Sequence, residues 1–129
     1  MKRLILVALA FLIALPVFAQ RIGFAAANQP AAASYSPPAD MAFNASGGAI
    51  TIKRLNVGLY TVTFDHLAKG AKARTAQISE WGSGAEQCAI RSVVIPVNTD
   101  NLVVSVHCIS NTTGANVDAR YYVYAVVVP

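Results

Sequence analysis

Apolar and polar residues alternate one for one along residues 60–65, where Tyr60, Val62 and Phe64 are separated by Thr61 and Thr63. This is the pattern of a strand with one buried and one wet face. Ile50 and Ile52 alternate with Thr51 and Lys53 in the same way. Between the two runs, Arg54-Leu55-Asn56-Val57-Gly58 places Asn and Gly where a longer hairpin loop with a bulge needs residues that tolerate positive φ. Residues 47–67 therefore predict a β-hairpin, and the fold can be argued outward from it.

Residues 21–27 predict a first strand. Residues 28–38 hold three prolines, Pro30, Pro37 and Pro38, among small residues, which predicts an extended connector without ladder hydrogen bonds. A short strand over 41–44 and a turn at Ala45-Ser46-Gly47-Gly48 lead into the hairpin, and Lys69-Gly70 marks the turn after it. Residues 71–81 are rich in helix formers, but the glycines beyond them and the neighbouring strands favour a strand. A loop at 82–84, strands over 87–95 and 102–109, turns at 96–101 and 110–118, and a closing strand over 121–128 complete the chain. The reading is all-β: about eight antiparallel strands in a β-sandwich or a small closed barrel, with the sandwich preferred.

The first residues stand apart from this pattern. Lys2-Arg3 precedes an apolar run over residues 4–15, and Val17-Phe18-Ala19 offers a small-residue cleavage site, which predicts a secretory signal peptide over 1–19 and a single secreted β-domain over 20–129. The apolar run is shorter than the roughly 20 residues a spanning helix needs, so no stable membrane insertion is expected after processing. Removing Lys2 and Arg3 leaves eight basic residues against six acidic ones, a net charge of +2 in place of +4. These cations are scattered along the chain, which argues against a nucleic-acid partner.

Cys88 and Cys108 are the only cysteines, and in an oxidising compartment they predict one intramolecular disulfide. Leu102, Val104, Val106 and Cys108 share one face of their strand, and Cys88 with Ile90 supplies the matching face of the strand before it. A buried bridge between neighbouring strands follows, with no cofactor or metal site expected. His66 beside Asp65 and His107 beside Cys108 lack a second histidine at ligand spacing, and a lone Asp-His pair reads as a solvated strand end. Glu80 and Glu86 flank the 82–84 loop and form a weak candidate carboxylate pair. Two sequons, Asn44-Ala45-Ser46 and Asn111-Thr112-Thr113, matter only in a cell that glycosylates exported asparagines.

Aromatic residues carry the clearest contact signal. If Tyr121, Val123 and Ala125 face inward, Tyr122 and Tyr124 face outward as a pair, offering flat rings with polar tips to a sugar or protein. Trp81, beside the glycine loop, is the third candidate for contact, set against its reading as a partly buried core residue. The expected function is a non-catalytic exported domain that acts as a binding or adhesion module, or as an extracellular structural unit. Its partner is a protein or glycan of unidentified kind, and no oligomeric state follows. The alternative is a small secreted hydrolase or periplasmic inhibitor in which Glu80, Glu86, His66 and Asp65 converge on one pocket.

The stretch Ser34-Tyr35-Ser36-Pro37, the strand Gly58-Leu59-Tyr60-Thr61-Val62-Thr63-Phe64 and the paired cysteines fall in a familiar order. In these the chain resembles a single unit of a repeat found in uncharacterised secreted bacterial proteins, over about residues 23–127. Ala125 stands where that family commonly has a larger aromatic, and relatives carry several units where this chain has one. The resemblance implies an exported β-domain and periplasmic or extracellular localisation, and it implies no active site. Mass spectrometry of exported protein should find a mature chain beginning at Gln20; retention of residues 1–19 in a membrane fraction would make it a tethered protein instead.

Overall fold

A computed structural model describes residues 19–82 and 84–129. The expected signal peptide lies outside them except for Ala19, as does Ser83 of the 82–84 loop. The strands are β1 (Arg21–Ala27), β2 (Ser34–Tyr35), β3 (Ala42–Asn44), β4 (Ile50–Asn56), β5 (Leu59–Phe64), β6 (Ala73–Glu80), β7 (Glu86–Val94), β8 (Leu102–Ser110) and β9 (Tyr121–Val128). A single 3-10 turn at Ala39–Met41 precedes β3. One sheet has four strands in the order β3-β1-β9-β6 and the other has five, β2-β4-β5-β8-β7. All pairings are antiparallel. The two sheets form a sandwich and do not close into a barrel. Edges β2 and β3 are two and three residues long, too short to zip the sheets together. On the other side, the Arg74 side chain donates across the gap to the Val93 carbonyl at 3.0 Å.

The hairpin of β4 and β5 forms as the alternation requires, with Ile50, Ile52, Tyr60, Val62 and Phe64 buried. Its loop is shorter than the expected residues 54–58. Leu55 bulges out of the ladder, so Asn56 pairs with Leu59 and only Val57-Gly58 remains as the turn. Gly58 takes φ +68, and a Cβ there would also press on the Cys108 carbonyl.

The connector over 28–38 departs from its expected lack of ladder bonds. Ser34 and Tyr35 pair with Lys53 and Ile52, which gives nine strands among the described residues in place of about eight. Pro30, Pro37 and Pro38 flank this pair without occupying it, so no donor is lost, and a short edge strand tolerates such neighbours. The helix-prone residues 71–81 do form a strand. β6 pairs with β9 along its whole length and turns Ala76 and Ile78 toward the core, so burial overrides local propensity.

The two inner faces differ in bulk. The five-stranded sheet contributes Ile50, Ile52, Tyr60, Val62, Phe64, Leu102, Val104 and Val106. The four-stranded sheet contributes Gly23, Ala25, Ala27, Ala76 and Ala125 beside Tyr121, Val123 and Val127. Gly23 marks the closest approach: a Cβ there would stand 2.7 Å from the Phe64 ring and 2.8 Å from Leu67. Cys88 and Cys108 lie directly opposite in β7 and β8, with Cα atoms 4.0 Å apart, and are joined within this core.

Both sequons serve the fold. The Asn44 amide nitrogen donates to the carbonyls of Gly48 and Asp65 at 3.1 and 2.9 Å, while Ser46 Oγ donates to Asp65 O at 2.6 Å. The Asn111 amide nitrogen donates to Gly84 O at 2.7 Å.

Alkylation of the oxidised protein should find no free thiol. Replacing Cys88 and Cys108 together by Ser should lower stability by about 3 kcal/mol, or roughly 10–20 °C in Tm by calorimetry. An unchanged Tm would show that the bridge adds nothing to a ladder that is already closed.

Candidate functional site

The outer face of the four-stranded sheet carries a row of aromatic rings. Three strands and the residue after β6 supply it, and the register brings them together: Phe43 pairs with Phe24, and Phe24 with Tyr124. Tyr122 stacks on Phe24 on one side, with centroids 5.8 Å apart and planes at 17°, and on Trp81 on the other, at 5.0 Å and 18°. Phe43 and Tyr124 are the open members, 58% and 40% exposed. Ala26, opposite Tyr122 on this outer side, is 1% exposed, so the row forms a small apolar layer of its own.

Trp81 and Tyr122 therefore meet on the surface, and Trp81 is half-buried outside the core. The Tyr122 ring has both faces taken, whereas Tyr124 remains accessible. Phe24 and Phe43 were not among the sequence candidates. The signal was available in β1, where Gly23, Ala25 and Ala27 share one face: inward residues that small mean the bulky residue between them points out.

At its Trp81 end the row opens into a groove of about 430 Å³, lined by Pro30, Trp81, Gly82, Glu86, Asp118 and Arg120 among others. The Arg120 guanidinium sits 5.7 Å from the centre of the Trp81 ring, a cation–π distance. An aromatic surface running into a groove with charged walls is the kind of place where a polyhydroxylated or mixed-polarity partner finds both ring faces and hydrogen bonds.

Asp118, in the wall of this groove, gathers three residues of the β4–β5 hairpin around its carboxylate. Its carboxylate accepts from Arg54 Nε at 2.9 and 3.0 Å, from the Gly58 backbone N–H at 3.0 Å and from the Tyr60 hydroxyl at 2.8 Å. Arg54 Nη2 adds an ion pair at 2.8 Å. The bond from Arg54, with lesser help from Gly58 and Tyr60, lowers the carboxyl pKa from 3.8 to about 2. Burial, then the bond to Asp118, raises the Tyr60 phenol above its ordinary range. Tyr121, whose ring lies 5.4 Å from that of Tyr60, is raised by burial, and its hydroxyl has no hydrogen-bond partner among the described residues. Every lone pair that Asp118 uses ties the β4–β5 hairpin to the chain entering β9, so its role is to fasten the groove wall.

The four residues expected to converge in a hydrolase lie at two ends of the sandwich. Glu86 pairs with Ser110 at the far end of β8, and Glu80 pairs with Tyr121 at the groove end of β9. Asp65 and His66 follow Phe64, which pairs with Leu102 at the start of β8. The length of that nine-residue strand, on the order of 25 Å, separates them. His66 takes φ +58 and its backbone N–H donates to Asn101 Oδ1 at 3.0 Å, while His107 Nε2 lies 2.8 Å from Asn116 Oδ1. No group of three metal-ligating side chains occurs among the described residues.

No protein-family model, curated protein or solved structure matches the chain.

Asp118 generates a pH dependence with a definite sign. Its folded pKa is depressed, so its contribution is fully present above pH 3.8 and is lost as pH falls through about 2. Chemical denaturation should show Asp118→Asn to be less stable at neutral pH by roughly 1–3 kcal/mol. The gap from the parent protein should narrow steadily as pH is lowered through that window, and a gap independent of pH would assign the loss to packing.

Proposed function

We propose that this chain is an exported, non-catalytic β-sandwich that works by binding, presenting the aromatic face of its four-stranded sheet to a protein or glycan partner. The observation that carries this reading is the open pair Phe43 and Tyr124, set on a face that the core does not need. Phe24, Tyr122 and Trp81 hold one another in place behind them, so the surface is rigid before a partner arrives, which lowers the entropy cost of binding. The separation of Glu80 and Glu86 from Asp65 and His66 favours binding over hydrolysis. Export rests on the leader read over residues 1–19 and agrees with the core disulfide, a bond that persists in oxidising compartments. The likeness to a unit of secreted bacterial repeats supports the same reading.

A glycan array probed with the purified, oxidised protein is the direct test. Phe43→Ser combined with Tyr124→Ser should weaken any interaction found at least tenfold. The same pair should cost only cross-strand terms of roughly 0.2–1 kcal/mol each in stability. Undiminished binding by the double variant would remove the aromatic face from consideration.

A further inference from the structure

The five-stranded sheet has a feature of its own on the side facing away from the core. Each of its two register irregularities pushes out one residue. Leu55 of β4 has no partner between the Arg54–Tyr60 and Asn56–Leu59 pairs, and Arg91 of β7 has none between Ile90–Val106 and Ser92–Ser105. β5 and β8 lie between these strands, which puts them about 14 Å apart at the usual spacing. Both extra residues nonetheless line one groove of about 310 Å³, with Leu59, Ser92 and Ser105 among its other walls. A bulge re-aims a side chain, and here two bulges aim at one place from opposite sides.

The chemistry they bring is of two kinds. Leu55 is 58% exposed, and Leu59 beside it is half-buried, so the β4 side of the groove is apolar. Arg91 is exposed and makes no hydrogen bond or ion pair among the described residues. Ser92 and Ser105 face each other across β7 and β8, and Lys53, two strands over through Thr61, adds a second cation on the same face. No acidic side chain lines the groove among the described residues.

We propose that this groove binds a small amphiphilic anion: a carboxylate or phosphate monoester on a short apolar chain. The anionic head meets Arg91, whose planar fork suits two acceptor oxygens at once, with the Ser92 and Ser105 hydroxyls as further donors. The apolar chain covers Leu55 and Leu59. A bare anion leaves the leucines wet, and a neutral lipid leaves the guanidinium without a partner, so neither alone matches the walls. The groove stands at the small end of the usual ligand-pocket range of roughly 300–1,000 Å³, which limits the occupant to a short chain. The site is independent of the aromatic face, which belongs to the other sheet.

The test titrates the purified, oxidised, isotope-labelled protein with sodium octanoate below its micelle concentration and follows backbone amide shifts. Saturable shifts confined to Leu55, Leu59, Arg91, Ser92, Ser105 and their immediate neighbours are expected. Arg91→Gln and Leu55→Ser, both at exposed positions that leave the fold intact, should each weaken binding at least tenfold, while Tyr124→Ser leaves it unchanged. Octanol and inorganic phosphate should each bind at least tenfold more weakly than octanoate. Four results would overturn the proposal: no saturable shift with octanoate, an Arg91→Gln variant that binds as well as the parent, inorganic phosphate binding as tightly as octanoate, or binding to phosphatidylglycerol vesicles with none to free octanoate.

Discussion

The two inner faces of the sandwich fit because one is thick and the other thin. Phe64 and Leu67 fill the space that a Cβ on Gly23 would need, and the alanines of β1, β6 and β9 accommodate the isoleucines, tyrosine and phenylalanine opposite. Cores packed to crystal-like density leave no slack for exchanging large and small residues at single positions. The constraint decides the outside as well. In β1 the inner positions are glycine and alanine, so its bulky residue Phe24 lies on the other face, where Phe43, Tyr122 and Tyr124 stand beside it. The proposed binding surface and the packing of the core are two sides of one alternation.

Polar chemistry in the described structure is concentrated where the sandwich ends. Gly58 donates its N–H to Asp118 and accepts from the Cys108 N–H at 2.8 Å, and the Cys108 carbonyl accepts from Val117 N–H at 3.2 Å. The hairpin turn, the disulfide and the chain leading into β9 thus share one hydrogen-bonded knot. Arg54 occupies an inward register position opposite Tyr60, a place for a cation only because Asp118 arrives to pair with it. That pairing seats a partly exposed charged residue at the rim of the core, at the same end where the groove beside Trp81 opens.

Much of this was legible from alternation alone. β4, β5 and β8 put most of their large apolar residues on one parity, β9 is apolar on both faces and reads as a strand from its β-branched and aromatic residues, and with only two cysteines the bridge had one solution. β2 was hidden because two residues between prolines carry no period. Leu55 and Arg91 were hidden for a related reason: a bulge breaks the very alternation by which strands are read. Asp118 could not be placed because its partners lie 58 to 64 residues away in sequence, and no local pattern encodes a contact of that range. The tyrosine pair was read correctly as outward, but only the register with β1 and β6 reveals that Tyr122 is enclosed by neighbouring rings while Tyr124 is open.

The commitment of Asn44 and Asn111 to backbone carbonyls makes folding a question of timing in some hosts. An oligosaccharide is transferred to the same amide nitrogen that Asn44 offers to Gly48 and Asp65, and the acceptor Asp65 emerges from synthesis about twenty residues after it, roughly one to four seconds at ordinary elongation rates. In a cell that glycosylates nascent chains, the enzyme meets this asparagine before its structural partner exists. Modification then removes one donor from the turn between β3 and β4 and places a bulky sugar where the chain must bend. Material made in such a cell would divide into two populations according to which event came first, whereas a bacterial host without that machinery would yield one.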